Sequence, residues 1–274
     1  MLTFEVSQQK MIHLKSKELF FLAGVLGSER LLGVEDPFQG YLAEELTREW
    51  EEVKTSLLEK GYLRQVEEGG ELAIPPTVFS RVAIAGLSRR ACLIEYTRDG
   101  RRFEGYLHCT NEKVVELAQS DEDEYRLSEL GDVESACETI IEKMGWREQV
   151  PAESPALMFS QKRFHEINKL ADKNNTEVIR AMLTEASGDP EGAAMLAKTL
   201  CSKVSEGELT LLVWNGQEWE SQRAAFTVCD SMSWLYRMSS VGNGDWLIAT
   251  LTTQEQFLAL LLDWLRQSAG TEER

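Results

Sequence analysis

Ala91-Cys92-Leu93-Ile94-Glu95-Tyr96 and Leu209-Thr210-Leu211-Leu212-Val213-Trp214 open two stretches that read alike, about 120 residues apart. After the first come the turn dipeptide Asp99-Gly100, strand-like runs at Phe103 to Thr110, Val114 to Ala118 and Tyr125 to Leu127, and an apolar-periodic helix, Val133 to Met144. After the second come Asn215-Gly216, runs at Ala224 to Cys229, Trp234 to Met238 and Asp245 to Thr250, and a helix over Gln254 to Leu265. Asp-Gly and Asn-Gly between alternating apolar runs signal tight hairpins, because both dipeptides tolerate positive φ. His108-Cys109-Thr110 aligns with Val228-Cys229-Asp230, and the offset holds through the later strands. The pattern predicts an α+β fold of two pseudo-symmetric halves, each a mainly antiparallel sheet followed by a helix. Residues 1–150 form the N-terminal half and residues 151–274 the C-terminal half of one integrated domain.

Ahead of the first copy, Thr3 to Val6 reads as a strand. A helix from Ser16 carries Leu19, Phe20, Leu22, Ala23 and Leu26 on one face and stops at Gly27. A second helix spans Leu42 to Lys60 and ends at Gly61. A small hairpin follows through Gly69-Gly70, and Pro75-Pro76 opens a third helix over Thr77 to Leu87. This N-terminal segment has a winged-helix-like outline. Between the copies, a linker from Gly145 through Pro155 leads into a central helical hairpin. Its parts are Phe159 to Lys173, Thr176 to Ala186, and Glu191 to Lys203 behind the Asp189-Pro190 cap. Thr252-x-x-Glu255 has the spacing of a capping box for the last helix.

Charge narrows the partners. With 29 basic against 46 acidic residues, the net charge of −17 opposes phosphate binding, which excludes nucleic acid and anionic membranes. A winged-helix regulator also needs base-reading side chains on its third helix, and Thr77 to Leu87 offers Arg81 alone. No apolar run is long enough to span a bilayer, and the first residues lack a signal-peptide pattern. Five cysteines without a C-x-x-C pair read as buried thiols, which predicts a cytoplasmic protein with no metal.

Catalytic chemistry is poorly provided for. His108 and Cys109 are neighbours on a strand, point to opposite faces, and so cannot act as base and nucleophile. No nucleophile elbow, phosphate-binding loop or dinucleotide fingerprint occurs, and no cofactor is expected. Asp121 to Glu124 reads as a solvated loop. Aromatic residues are concentrated instead in the second copy, at Trp214, Trp219, Trp234, Tyr236 and Trp246. Aromatic anchors carry much of the energy of protein interfaces, so Trp219, Trp234 and Tyr236 are candidate protein-binding residues, with the 159–203 helices as a clamp. Most tryptophans fill cores, and that use competes at each position. An enzyme of unknown type and a winged-helix regulator are the alternatives to a non-enzymatic binding protein. A homodimer through a sheet edge is compatible with the sequence.

Several stretches resemble the EspG-like family of type VII (ESX) secretion-associated chaperones. Leu19-Phe20-Phe21-Leu22-Ala23-Gly24-Val25-Leu26-Gly27 resembles the family's first helix, and Leu57-Leu58-Glu59-Lys60-Gly61-Tyr62-Leu63 its next helix end. Leu209 to Trp219 with Arg223 to Cys229, and Gly244-Asp245-Trp246-Leu247 before the last helix, resemble its late strands. The resemblance implies a cytosolic chaperone without enzymatic activity that holds a helical secretion substrate of the PPE-like, WXG100-like or LXG-like kind. The family often has a long, substrate-contacting loop between the first strands of the central sheet. Here that loop is only Arg98 to Arg102, which adds Arg98 and Arg102 to the protein-binding candidates.

Overall fold

The computed structural model describes residues 11–28, 30–66, 71–146, 155–171, 175–241 and 244–267. The elements in chain order are β1 (Met11–Lys15), α1 (Ser16–Val25), α2 (Ala43–Glu59), β2 (Arg64–Gln65), β3 (Leu72–Ala73) and α3 (Pro76–Leu87). Then come β4 (Arg90–Arg98), β5 (Arg101–Cys109), β6 (Val114–Asp121), β7 (Glu124–Gly131) and α4 (Val133–Met144). The central segment holds β8 (Leu157–Ser160), α5 (Gln161–Ala171), α6 (Thr176–Ser187) and α7 (Pro190–Cys201). The chain closes with β9 (Ser205–Trp214), β10 (Trp219–Val228), β11 (Ser233–Val241), β12 (Gly244–Leu251) and α8 (Gln254–Arg266). The fold is α+β, and the order of four strands and a helix occurs twice, as β4–β7 with α4 and as β9–β12 with α8.

Two compact bodies divide the chain: residues 1–91 with 105–133, and residues 92–104 with 134–274. In the first, strands run in the order β1-β7-β6-β5, and β1, β7 and β6 pair antiparallel. Ile12, Leu14, Leu117 and Leu127 on these strands meet Leu19, Leu22, Val53, Leu57, Val78 and Val82 of the first three helices in one core. Glu18 is the polar exception. Its buried carboxylate accepts from the Lys15 N–H, Ser56 Oγ and Lys60 Nζ, each at 2.7 Å, so its charge is met on every side.

In the second body the strand order is β4-β9-β10-β11-β12-β8. Register from β9 outward is antiparallel throughout. Gly207 in β9 sits against the backbone of β4: a Cβ there would lie 2.6 Å from Tyr96 Cβ and 2.8 Å from Tyr96 Cα, besides striking the Glu95 carbonyl oxygen. Only glycine permits that approach.

Alternation sorts the sheet faces. Trp234, Tyr236, Leu247, Ala249, Leu157 and Phe159 point to one face, where Ile167, Ile179, Leu183, Leu196 and Leu200 of α5, α6 and α7 complete a core. On the other face Phe226 meets Phe257 of α8, which stacks on Trp146 at 4.1 Å and 8°. The α7 cap is as the sequence predicts, with Asp189 Oδ1 accepting from the Glu191 and Gly192 N–H groups; α6 is capped by Asn175, whose Oδ1 accepts from the Val178 N–H, and ends before Gly188 at φ 73°.

Two expectations are corrected, and one strand is added. Leu157 to Ser160 is an edge strand against β12, so the helix predicted from Phe159 begins only at Gln161. The capping box of α8 lies one residue later, between Thr253 and Gln256. Thr252 is nearly buried and turns its hydroxyl to the Thr250 carbonyl instead. Met11–Lys15 is a strand that was not foreseen. The strand expected at Thr3 to Val6, the Gly69-Gly70 tip and Pro151 lie outside the described residues.

Candidate functional site

The concave feature with the most varied chemistry lies in the second body, where α5 crosses the sheet. It is a cavity of about 360 Å³. Its floor follows from strand register. Glu208 pairs with Ala225, Ala225 with Tyr236, and Tyr236 with Ala249, so these four form one row on one face. The adjacent row sets Glu206 beside Thr227 and Thr227 beside Trp234. Ala225 and Thr227 are short, with bulkier side chains on both sides, and a hollow results. Gln161, Phe164, His165 and Asn168 of α5 form the opposite wall, at the i, i+3, i+4, i+7 spacing of one helix face. Met238 and Leu247 close the apolar end. Phe164 leans on Tyr236 with centroids 4.9 Å apart and planes at 48°.

Two polar atoms in this lining have no hydrogen-bond partner, Tyr236 Oη and Asn168 Oδ1. Tyr236 is only 3% exposed. Burial pushes its phenol well above the ordinary range, Glu206 adds to the rise, and the Thr227 hydroxyl, close by but outside hydrogen-bond geometry, opposes it, so the hydroxyl stays protonated. Glu206 is tied to Lys203 at 2.9 Å. Glu208 is exposed and forms no ion pair among the described residues.

The sequence-predicted binding residues do not converge. Trp234 is fully buried in the core under α5–α7, so it is no surface anchor, and Tyr236 lines the cavity without presenting an exposed ring. The period-two pattern that put both on one face put them on the helix-covered face. Trp219 is half-buried against Trp214, edge to face at 5.6 Å. It is six residues along β10 from Ala225, about 20 Å at strand rise. Arg98 Nη1 donates to the Glu142 and Lys143 carbonyls at 2.7 and 2.9 Å, capping the end of α4. Arg102 is exposed and pairs with Glu95 and Glu104. Phe164, Asn168, Glu206 and Glu208 were not singled out from the sequence. Their signal was there in the helix-face spacing of Phe164 and Asn168 and in two acids two residues apart on a strand.

Elsewhere the chemistry is quiet. His108 is buried, with Nδ1 at 3.2 Å from Ser88 Oγ and Nε2 without a partner, and burial lowers its pKa to about 4. None of the five cysteines is in a disulfide, and burial pushes the Cys137 thiol up to about 12. Among the described residues no cluster of His, Cys, Asp or Glu is placed to hold a metal ion, and no helix is long and apolar enough to cross a membrane. Arg81 of α3 is buried, donates to the Thr77 carbonyl, and lies 3.8 Å from Glu129.

No family model matches the chain, and no curated protein matches it in sequence. Solved structures do match. One is the Mycobacterium tuberculosis type VII secretion system chaperone EspG5, in complex with a PE25–PPE41 dimer, at a TM-score of 0.63 and 12% identity. The match covers 94% of this chain and 98% of that one. At that identity the likeness is one of fold, and the α+β architecture of this chain is similar to that of a secretion chaperone over nearly its whole length.

Proposed function

We propose that this protein is a non-enzymatic, cytoplasmic chaperone or adaptor that holds a helical protein substrate of a type VII secretion system. The observation that carries the proposal is the likeness to EspG5 across almost the full length of both chains, since a match confined to one sheet would suggest only a common scaffold. The acidic cavity under α5 supports it, being a concave site with aromatic walls and unpaired polar atoms. The buried position of Arg81 takes away the one cation that the winged-helix alternative had on its third helix.

The substrate is PPE-like, WXG100-like or LXG-like, and a net charge of −17 steers basic or neutral partners to the protein faster than acidic ones. Co-expression of the full chain with each such protein encoded beside its gene tests this, read by size-exclusion chromatography with light scattering. A complex of defined stoichiometry with at least one of them is expected. Failure of all of them to co-elute, with every candidate soluble and folded, overturns the proposal.

A further inference from the structure

We infer that the cavity under α5 receives an arginine side chain from the protein partner, an assignment that rests on the chaperone reading and specifies what its substrate presents. The exposed Glu208 carboxylate lacks an ion pair among the described residues, and Asn168 Oδ1 and Tyr236 Oη lack hydrogen-bond partners. Two of these three groups can only accept, and the third can. A guest must therefore bring several N–H donors, and a fork of donors serves separate acceptors better than a single point does. A carboxylate guest would meet the Glu208 carboxylate on the floor, and Lys203 beside it is already held by Glu206. A purely apolar guest would leave Tyr236 Oη and Asn168 Oδ1, both already buried from water, still unpaired.

The rest of the lining suits the remainder of the side chain. Met238 and Leu247 offer apolar surface to a three-carbon stem, and the half-buried ring of Phe164 can take a planar cation on a face. About 360 Å³ is at the low end for ligand clefts, roughly 300–1,000 Å³, which admits one long side chain and its waters rather than a helix. Register sets the reach. Glu208 and Tyr236 stand two strands apart in one row, about 10 Å between backbones, with only Ala225 between them. His165 is the one basic group of the lining and lies exposed on α5. Arg223 shares the sheet face of Ala225 but is outside the lining.

The test is a titration of the isotopically labelled full chain with N-acetyl-arginine amide, followed by amide chemical shifts. N-acetyl-citrulline amide, of the same shape without the charge, and N-acetyl-lysine amide are the comparison probes. The arginine probe should give saturable shifts at Asn168, Ala225 and Tyr236 and bind about tenfold more tightly than citrulline. Glu208→Gln should erase most of that preference, whereas Glu52→Gln on α2 should not. Shifts absent from the cavity, equal binding of citrulline, equal or tighter binding of lysine, or equal loss in Glu52→Gln would each overturn the assignment. The probe needs no partner, so a failed titration leaves the co-expression result standing, and a failed co-expression leaves the titration standing.

Discussion

Replacing Tyr236 by phenylalanine should make the free protein more stable, which is unusual for a change in a core. The ring keeps its packing on Phe164 and its place in the α5–α7 core, and only Oη, buried and without a hydrogen-bond partner, is lost. A buried polar group left unpaired costs about 1–3 kcal/mol. The Thr227 hydroxyl close by offsets part of that, so the lower end applies and Y236F should gain about 1 kcal/mol. For a chain of this size such a gain raises Tm by about 2–4 °C, and with an m-value near 3 kcal/mol/M it moves the urea midpoint up by about 0.3 M. Urea unfolding followed by tryptophan fluorescence reads it directly, because Trp234 is fully buried in the same core. The slope should not change. A variant equal to or less stable than the parent would refute the reasoning. It would mean that the Thr227 hydroxyl satisfies Oη in the free protein, and it would remove one of the acceptors assigned to the guest.

Acid should weaken the fold through His108. Its pKa is about 4 when folded, against 6.5 for an ordinary solvated imidazole, so the unfolded chain takes the proton first. Stability is therefore full above pH 6.5 and falls by about 3 kcal/mol toward pH 4, and His108→Gln should flatten that part of a denaturation–pH profile. Gly207→Ala must push β9 off the β4 backbone, and a loss of about 2–4 kcal/mol in chemical denaturation is expected, whereas Gly24→Ala, with open space at its Cβ, should cost nothing comparable. Arg98→Ala uncaps α4 by removing donors from the Glu142 and Lys143 carbonyls. It should lower stability by about 1–2 kcal/mol, and Arg98→Lys, with a single rotatable donor group, should restore only part of it.

The doubled strand–helix order was legible because Asp99-Gly100 and Asn215-Gly216 punctuate long alternating runs, a signal that local sterics fix without help from the rest of the chain. Met11–Lys15 and Leu157–Ser160 were not legible as strands. Both are short, each pairs along one side only, and Leu157-Met158-Phe159 reads equally well as helix until β12 supplies its register. The capping box slipped by one residue because Thr252 and Thr253 are interchangeable on paper; burial of Thr252 decides between them. At the candidate site, counting aromatics led to the correct sheet but not to the correct groups. Which face is covered by α5, and which acids that leaves around a hollow, depends on tertiary packing that alternation alone does not encode.

Ser160 ends β8 and its Oγ accepts the Arg163 N–H at 3.3 Å, so the last strand residue is also the first helical cap. No connector separates β8 from α5, and the roof of the cavity is cantilevered from four backbone pairings with β12. Substitutions at Met158 or Ser160, which are not in the lining, would thus tilt that roof and alter the mouth beneath it. Sequence variation along this one border would retune what fits without touching a single residue that meets the guest.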